Sequence, residues 1–188
     1  MKLVKLGLAS ILTATVLFAG TYNVDASHSN VGFKVKHLMI SNVTGKFDKF
    51  NGSFVFDEKT NMLKSLKGEA EVASINTENE KRDGHLKSAD FFDAANFPKV
   101  TFTLDKIDND KAYGKLTMRG VTKAVELDYE NNGTITDPWG NKRVGLGLSG
   151  KINRKDFGLS WNKTLEAGGV VVGEDVKLEI EVEGILAK

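Results

Sequence analysis

The sequence contains no cysteine among its 188 residues. This absence excludes disulfide bonds, thiolate metal ligands, a cysteine nucleophile and a lipid attached through an N-terminal cysteine. An exported form of the chain would therefore be stabilised by its hydrophobic core alone. With 40% apolar and 27% charged residues, the composition is that of one globular domain.

The chain also lacks a strong net charge, because 26 basic residues face 25 acidic ones. Loss of an N-terminal leader with Lys2 and Lys5 would leave 24 basic and 25 acidic residues, a net charge of −1. No global field then attracts nucleic acid or an anionic membrane. We therefore expect no nucleic-acid partner, and only local charge could guide a charged one.

The longest apolar run, residues 6–18, follows Lys2 and Lys5 and precedes the small residues Ala19 and Gly20. This pattern is typical of a cleaved export signal, and the run is short for a membrane span. We expect residues 1–20 to be a signal peptide, residues 21–188 to form the domain, and no stable membrane anchor to remain after cleavage. An uncleaved anchor is the alternative, which the absence of a following basic stop signal disfavours.

From residue 21 onward, apolar and polar residues alternate with period two, as Val31, Phe33 and Val35 do against Lys34 and Lys36. Such alternation is typical of antiparallel strands with one buried face. Short turn sequences separate the strands, among them residues 119–120, 131–133 and 137–140. About eight strands without a linker or a repeat predict an all-β antiparallel barrel, because closure removes exposed edges. A two-sheet sandwich is the structural alternative.

Residues 77–104 interrupt this alternation. Thr77 and Glu80 have the spacing of a capping box, which predicts a helix that begins at Glu78 and ends near residue 88. Pro98 excludes further helix. Three phenylalanines near the helix need a large apolar surface to cover: Phe91, Phe92 and Phe97. We therefore expect the helix to be a lid on the barrel.

Several glycines occupy positions where period two predicts an inward side chain: Gly45, Gly68, Gly114, Gly150 and Gly184. A filled core favours side chains at such positions, so these glycines predict a hollow barrel that an apolar ligand fills. The alternative interpretation is that they mark bulges and barrel corners.

Five segments together resemble the YceI-like family: residues 29–37 (SNVGFKVKH), 82–92 (RDGHLKSADFF), 97–98 (FP), 114–125 (GKLTMRGVTKAV) and 156–173 (DFGLSWNKTLEAGGVVVG). The resemblance covers the whole chain after the leader. It implies a periplasmic bacterial protein with a lipocalin-like barrel, a lid helix and a tunnel for a polyisoprenoid or a similar long-chain amphiphile. It also implies a homodimer. No cofactor other than this bound lipid is expected.

Inward strand positions and residues near the expected mouth give the predicted tunnel wall: Phe33, Val35, Phe47, Phe54, Phe56, Phe92, Phe102, Gly114, Leu116, Met118, Leu146, Gly150, Phe157 and Trp161. For Phe33, Phe54, Phe56 and Phe102, ordinary core is the alternative interpretation. Charged and titratable residues near the lid are the candidates for contact with a polar head group: Arg82, His85 and His37. For Arg82 the favoured interpretation is structural, an ion pair with Glu78, Asp90 or Asp93.

The three histidines suggest an alternative function, a small periplasmic metal-binding or hydrolytic stress protein that uses His37, His85 and Asp83. His28 and Asp90 could complete a metal site at the barrel mouth. No pair of histidines has a metal-ligand spacing, and no Gly-x-Ser-x-Gly motif is present. We therefore expect neither a metal nor catalysis. A structural barrel that binds a protein partner is a third hypothesis.

The leader gives a first testable prediction. The protein recovered from the cell envelope should begin near Ala19 or Gly20, because the small residues after the apolar run suit a signal peptidase. Intact-mass measurement of the purified protein determines this terminus. A mass that includes residues 1–18 would contradict cleavage and favour the uncleaved anchor.

Overall fold

The computed structural model describes residues 19–166 and 168–188. In this part of the chain it has eleven strands and one α-helix: β1 (Ala19–Val24), β2 (Asn30–His37), β3 (Ser41–Phe47), β4 (Phe50–Asp57), β5 (Met62–Glu71), β6 (Ile75–Asn76), α1 (Glu80–Lys87), β7 (Lys99–Asp108), β8 (Lys111–Met118), β9 (Val121–Thr136), β10 (Lys142–Asn153) and β11 (Val172–Leu186). The predicted signal peptide lies outside the described residues except for Ala19 and Gly20, which begin β1.

Eight strands form a closed antiparallel ring in the order β1, β4, β5, β7, β8, β9, β10 and β11, and β11 pairs with β1 to complete it. The predicted antiparallel barrel of about eight strands is confirmed. The remaining three strands, β2, β3 and β6, extend the sheet beyond β11, and we call them the flap.

Strand β11 has two partners along the same edge. Near its C-terminal end Gly184 pairs with Val24 of β1, whereas nearer its N-terminal end Ile180 pairs with Val31 of β2. The barrel therefore has a lower half, closed by β1, and an upper half, where the flap takes the place of β1.

Aromatic rings fill the lower half. Tyr22 stacks on Phe54, with ring centroids 5.3 Å apart, and contacts Phe56 edge-on at 6.4 Å. All three side chains are buried in one cluster with Leu146 and other aliphatic residues. The Tyr22 hydroxyl donates a hydrogen bond to Glu58 Oε1 at 2.8 Å, and burial raises the pKa of Tyr22.

Four of the five glycines predicted to keep the barrel hollow are instead covered by neighbouring atoms, so the prediction is wrong at these positions. A Cβ at Gly114 would lie 2.6 Å from Phe102 Cζ and 2.6 Å from the carbonyl oxygen of Thr103. Gly45 and Gly184 are covered by the rings of Phe33 and Phe54, and Gly150 by a methyl group of Leu127. Neighbouring side chains therefore fill these gaps. Gly68 differs, since a Cβ there would have, apart from its chain neighbours and among the residues described, Asn51 O at 3.8 Å as its one neighbour within 4 Å.

The lid helix is confirmed, but its predicted start at Glu78 is wrong. Glu78 has a φ of 61°, outside the helical region, and α1 begins at Glu80. Asn79 caps the helix by accepting a hydrogen bond from the Arg82 amide at 3.0 Å, so Thr77 and Glu80 form no capping box. Among the described residues, no helix has the length and apolar character needed to cross a bilayer.

The turn predicted at residues 131–133 is also wrong, because β9 continues through it to Thr136. Gly145 pairs with Gly133 and Leu146 with Asn131, which leaves Asn132 as an extra residue in a β-bulge. Gly133 has a φ of 97°, a conformation that suits glycine. The asparagine and glycine signal therefore marks a bulge in a long strand.

Gly114→Ala should destabilise the fold by about 1–3 kcal/mol, because the new methyl group meets the backbone of Thr103 as well as the Phe102 ring. Gly68→Ala is the matched control, another strand glycine on the inner face, and should change the free energy of unfolding by less than about 0.5 kcal/mol. Urea denaturation of both variants measures the difference. Equal effects at the two positions would contradict the close packing at Gly114.

Candidate functional site

The upper half of the barrel contains a large apolar cavity, which we call the main cavity. Its empty space measures ≈ 1280 Å³, including the part that is open to solvent. Residues of β1 to β5, β7, β8, β10 and β11 line it, together with the segment from α1 to residue 92. Aromatic side chains around it come from strands and lid alike: Phe33, Phe47, Phe50, Phe91, Phe92 and Phe102.

A second cavity, which we call the vestibule, lies between the flap, α1 and the loop of residues 158–171. Its empty space is ≈ 1040 Å³, again including solvent-open space. It adjoins the main cavity, because five residues line both: Phe33, Val35, Leu86, Phe91 and Val172. The vestibule has a polar side formed by Lys36, His37, Lys81, Arg82 and His85. The apolar main cavity thus adjoins a vestibule with basic side chains.

Eleven of the seventeen residues predicted for the site line one of the two cavities. The main cavity is lined by Phe33, Val35, Phe47, Phe92, Phe102, Leu116 and Met118. The vestibule is lined by Trp161, Arg82, His85 and His37, and also by Phe33 and Val35. The structure therefore brings the three head-group candidates together at one place.

Six predicted tunnel residues line neither cavity, and their assignment to the wall is wrong. Three belong to the filled lower half: Phe54, Phe56 and Leu146. Two are glycines covered by neighbouring side chains: Gly114 and Gly150. Phe157 is the last residue of the 3₁₀ turn that follows β10 and is buried in a cluster with Phe91 and Leu159. The strand residues point inward as predicted. The alternation did not show that the cavity occupies the upper half of the barrel alone.

Arg82 has a structural role, although its partner differs from the predicted acidic neighbours. Its Nε donates to Thr77 Oγ1 at 2.7 Å and its Nη2 donates to Thr77 O at 2.7 Å. The Thr77 hydroxyl in turn donates to Asp83 Oδ1 at 2.5 Å, and the Thr77 amide donates to the same oxygen at 2.9 Å. Thr77, Arg82 and Asp83 thus fasten the first turn of the lid to the chain that precedes it.

His85 lies on the aromatic side of the vestibule. Its ring contacts Phe91 and Trp161 edge-on, with centroid distances of 5.0 and 4.8 Å. Its Nε2 lies 3.0 Å from Asp90 Oδ2. These contacts join the lid to the loop that carries Trp161, so the vestibule wall spans two separate segments of the chain.

The histidines do not form the alternative metal or hydrolytic site. His28 lies in the 3₁₀ turn after β1, far along the chain from the lid, and its Nδ1 contacts Asp25 Oδ2 at 2.8 Å. Asp83 is buried against Thr77 and faces a separate polar depression rather than the vestibule. His37, His85 and Asp83 are therefore not assembled around a common point.

Asp25, His28 and Glu183 form the one group of three possible metal-ligating side chains in the described part of the chain. Arg143 occupies the space beside it, since its Nη1 donates to Asp25 Oδ2 at 2.9 Å and also to Glu183 Oε1. Its Nε donates to Asp137 Oδ2 at 2.7 Å. Hydrogen bonds from Ser27, His28 and Arg143 hold the pKa of Asp25 well below its usual range. The guanidinium already supplies the positive charge that these carboxylates need.

Arg154 was missed by the sequence analysis. It is 4% exposed, lines the main cavity, and donates to three carbonyl oxygens: Gly173 at 2.8 Å, Val172 at 3.3 Å, and Leu159. Burial lowers the pKa of its guanidinium. These bonds fix the base of the 158–171 loop to β11. Arg154 belongs to no recognisable motif, so the sequence alone gives no indication that it binds three carbonyl oxygens.

The fold and the site define a small closed β-barrel with an enclosed apolar chamber beneath a lid helix. The chain matches the YceI-like domain over residues 22–184, so it belongs to the YceI-like family and the resemblance is confirmed. It is 41% identical over 165 residues to a UPF0312 protein of Staphylococcus aureus, with 86% of this chain and 95% of the relative covered.

Two solved structures give the same fold. A YceI protein of Campylobacter jejuni is 40% identical, with a TM-score of 0.70 over 87% of this chain and 96% of that one. A polyisoprenoid binding domain from Saccharophagus degradans is 16% identical, with a TM-score of 0.64 over 88% of this chain and 98% of that one. At the latter identity the likeness concerns the fold alone.

Arg82→Ala should lower the free energy of unfolding by about 1–3 kcal/mol, because it leaves two acceptors of the buried Thr77 without their donor. Thermal melting compares it with Glu80→Ala, an exposed position on the same helix, which should melt like the parent protein. If Arg82→Ala melts unchanged but loses binding of a long-chain ligand, Arg82 is a ligand contact instead.

Proposed function

We propose that the protein binds a single long apolar chain of the polyisoprenoid or fatty type and carries it as a non-enzymatic binding protein. The observation that carries the proposal is the main cavity, a chamber inside the barrel whose walls are almost wholly apolar. Such a chamber gains about 25 cal/mol per Å² of apolar surface that ligand and wall remove from water. Water would find few hydrogen-bond partners there.

The polar end of the ligand would lie in the vestibule, beside the head-group candidates Arg82, His85 and His37. The adjoining arrangement of the two cavities supports this orientation, since Phe33 and Leu86 line both of them. The polyisoprenoid binding domain of S. degradans supports a ligand of this class as an analogy. We also propose export to the periplasm, and we assign no cofactor beyond the bound lipid.

Catalysis has no support in the geometry. Asp83 is engaged with Thr77, and His85 faces Asp90 and two aromatic rings rather than a nucleophile. A carrier needs only a shaped apolar chamber and a closable entrance. Mass spectrometry of organic extracts from freshly purified protein would identify a retained chain directly.

Gly68→Leu should block the main cavity without unfolding the barrel, because Gly68 lines this cavity and has open space beside it. We expect the Kd for cis-parinaric acid, a fluorescent long-chain fatty acid, to rise by at least about tenfold, since the leucine side chain would occupy space that the acyl chain needs. Fluorescence titration measures the Kd, and thermal melting checks the fold.

Gly68→Ala is the control, and its Kd should stay within about threefold of that of the parent. Failure of the parent protein to bind cis-parinaric acid or to release a chain into organic solvent would contradict the carrier proposal. A folded Gly68→Leu variant that binds like the parent would place the ligand outside the main cavity.

A further inference from the structure

The turn between β2 and β3 displays apolar side chains in a strained backbone. Leu38 and Met39 have φ values of 49° and 63°, and the Ile40 amide donates to His37 O at 3.1 Å. Asparagine and glycine are the usual residues in such a turn, because bulky side chains are unfavourable at positive φ. Met39 is nevertheless 54% exposed and Ile40 83% exposed. Neither the turn geometry nor the core explains these residues.

The exposed turn lies at the rim of the vestibule. The Leu38 amide donates to Val171 O at 2.9 Å, and a Cβ at Gly169 would lie 3.4 Å from Met39 Cγ. His37 and Val171, the neighbours of these residues, line the vestibule itself. The apolar tip therefore belongs to the same end of the barrel as the entrance to the cavities.

Unpaired positive charge surrounds this entrance. Lys36, Lys81 and Arg82 line the vestibule, and within the described ranges none of them has a carboxylate oxygen within 4 Å. No aspartate or glutamate from the described residues lines the vestibule. Glu80 and Asp83 of the same helix face the separate depression on its other side. The Arg82 guanidinium is bonded to Thr77, and Asp90 lies beside His85. The rim thus combines apolar side chains with two lysines, Lys36 and Lys81, that have no ion-pair partner among the described residues.

The opposite end of the barrel provides an internal comparison. Ile135 and Trp139 are 68% and 80% exposed there. The nearby cations are engaged, however, since Lys142 pairs with Glu58 at 2.7 Å and Arg143 is bound to three carboxylates. Met62, 48% exposed, also lies at this end, and Lys64 Nζ contacts its Sδ at 3.7 Å. The vestibule end differs because two adjacent exposed residues, Met39 and Ile40, lie there beside a cavity that Lys36 and Lys81 line without an acidic residue, among the residues described.

We propose that the vestibule end docks on an anionic phospholipid bilayer, with Met39 and Ile40 inserted at the boundary between head groups and acyl chains. The exposed Lys36 and Lys81 would face the lipid phosphates. Shallow apolar insertion and attraction to anionic lipid are the two contributions that hold peripheral proteins on membranes. A bilayer suits this surface because it offers both at once, whereas the net charge of the whole chain gives no attraction.

Docking in this orientation would place the entrance of the vestibule against the membrane. If the protein carries a long apolar chain, as proposed above, the chain could then pass between bilayer and barrel with little exposure to water. The docking itself does not depend on that proposal. A protein that binds membranes but no free chain, or the reverse, would separate the two.

Co-sedimentation with vesicles tests the docking. The mature protein should bind vesicles of phosphatidylcholine mixed with phosphatidylglycerol more strongly than vesicles of phosphatidylcholine alone, and added salt should weaken the binding. The double variant Met39→Gly/Ile40→Ser should weaken it by at least about tenfold. Its melting temperature should stay equal or rise, because glycine suits the positive φ of residue 39.

Two matched controls distinguish binding through this surface from non-specific binding to vesicles. Ile135→Ser/Trp139→Ser removes comparable apolar groups at the other end and should leave vesicle binding unchanged. Lys36→Gln/Lys81→Gln should abolish the preference for phosphatidylglycerol, whereas Lys123→Gln/Lys151→Gln, at exposed positions that line neither cavity, should preserve it.

Several results would overturn the proposal. These are a parent protein that does not bind anionic vesicles, a Met39→Gly/Ile40→Ser variant that binds them as the parent does, and an Ile135→Ser/Trp139→Ser control that loses as much binding as the Met39→Gly/Ile40→Ser variant. A parent dimer that dissociates in the Met39→Gly/Ile40→Ser variant, without vesicle binding in either, would make a second copy of the chain the occupant of this surface.

Discussion

The pairing of β11 with two different strands is the constraint on which the rest of the structure depends. Because Gly184 pairs with β1 and Ile180 with β2, the same strand edge is closed below by a ring strand and above by the flap. Closure by β1 completes a ring of main-chain hydrogen bonds, which leaves no free edge at that level. The upper half is bounded by the flap and α1, and there the side chains enclose a cavity. One barrel thereby combines a rigid base with a chamber.

The glycines do not by themselves create this division. In the lower half Gly184 allows the Phe54 ring to lie against the strand, and the Tyr22 ring stacks on Phe54. Small residues here let aromatic rings approach the sheet closely, which favours a dense core. Gly68, at the level of the cavity, has no such ring above it. Gly45 of the flap is covered by the Phe33 ring, so glycines support close packing in both halves, and Gly68 is the position that borders open space.

The period-two alternation predicted the antiparallel barrel because apolar and polar residues alternate within each strand and so show which of its faces is buried. The alternation could not show which inward residues meet one another, since contacts such as Phe102 over Gly114 depend on the register of separate strands. The helix was predicted from the capping-box spacing of Thr77 and Glu80, but its first residue depends on Glu78 at φ 61° and on Asn79 as cap. Arg143 gathers carboxylates from positions 25, 137 and 183, and no local spacing signals such a cluster.

The lid is attached by contacts of a different kind from those that hold the barrel. Leu86 is the only aliphatic side chain within α1, so the helix has little apolar surface to bury. Its attachment rests on the bonds among Thr77, Arg82 and Asp83 and on the His85 contacts with Phe91 and Trp161. Separating these few polar and edge-on contacts costs less free energy than parting strands of the closed ring. Access to the chamber is therefore expected through movement of the lid and flap, while the base closed by β1 keeps its shape.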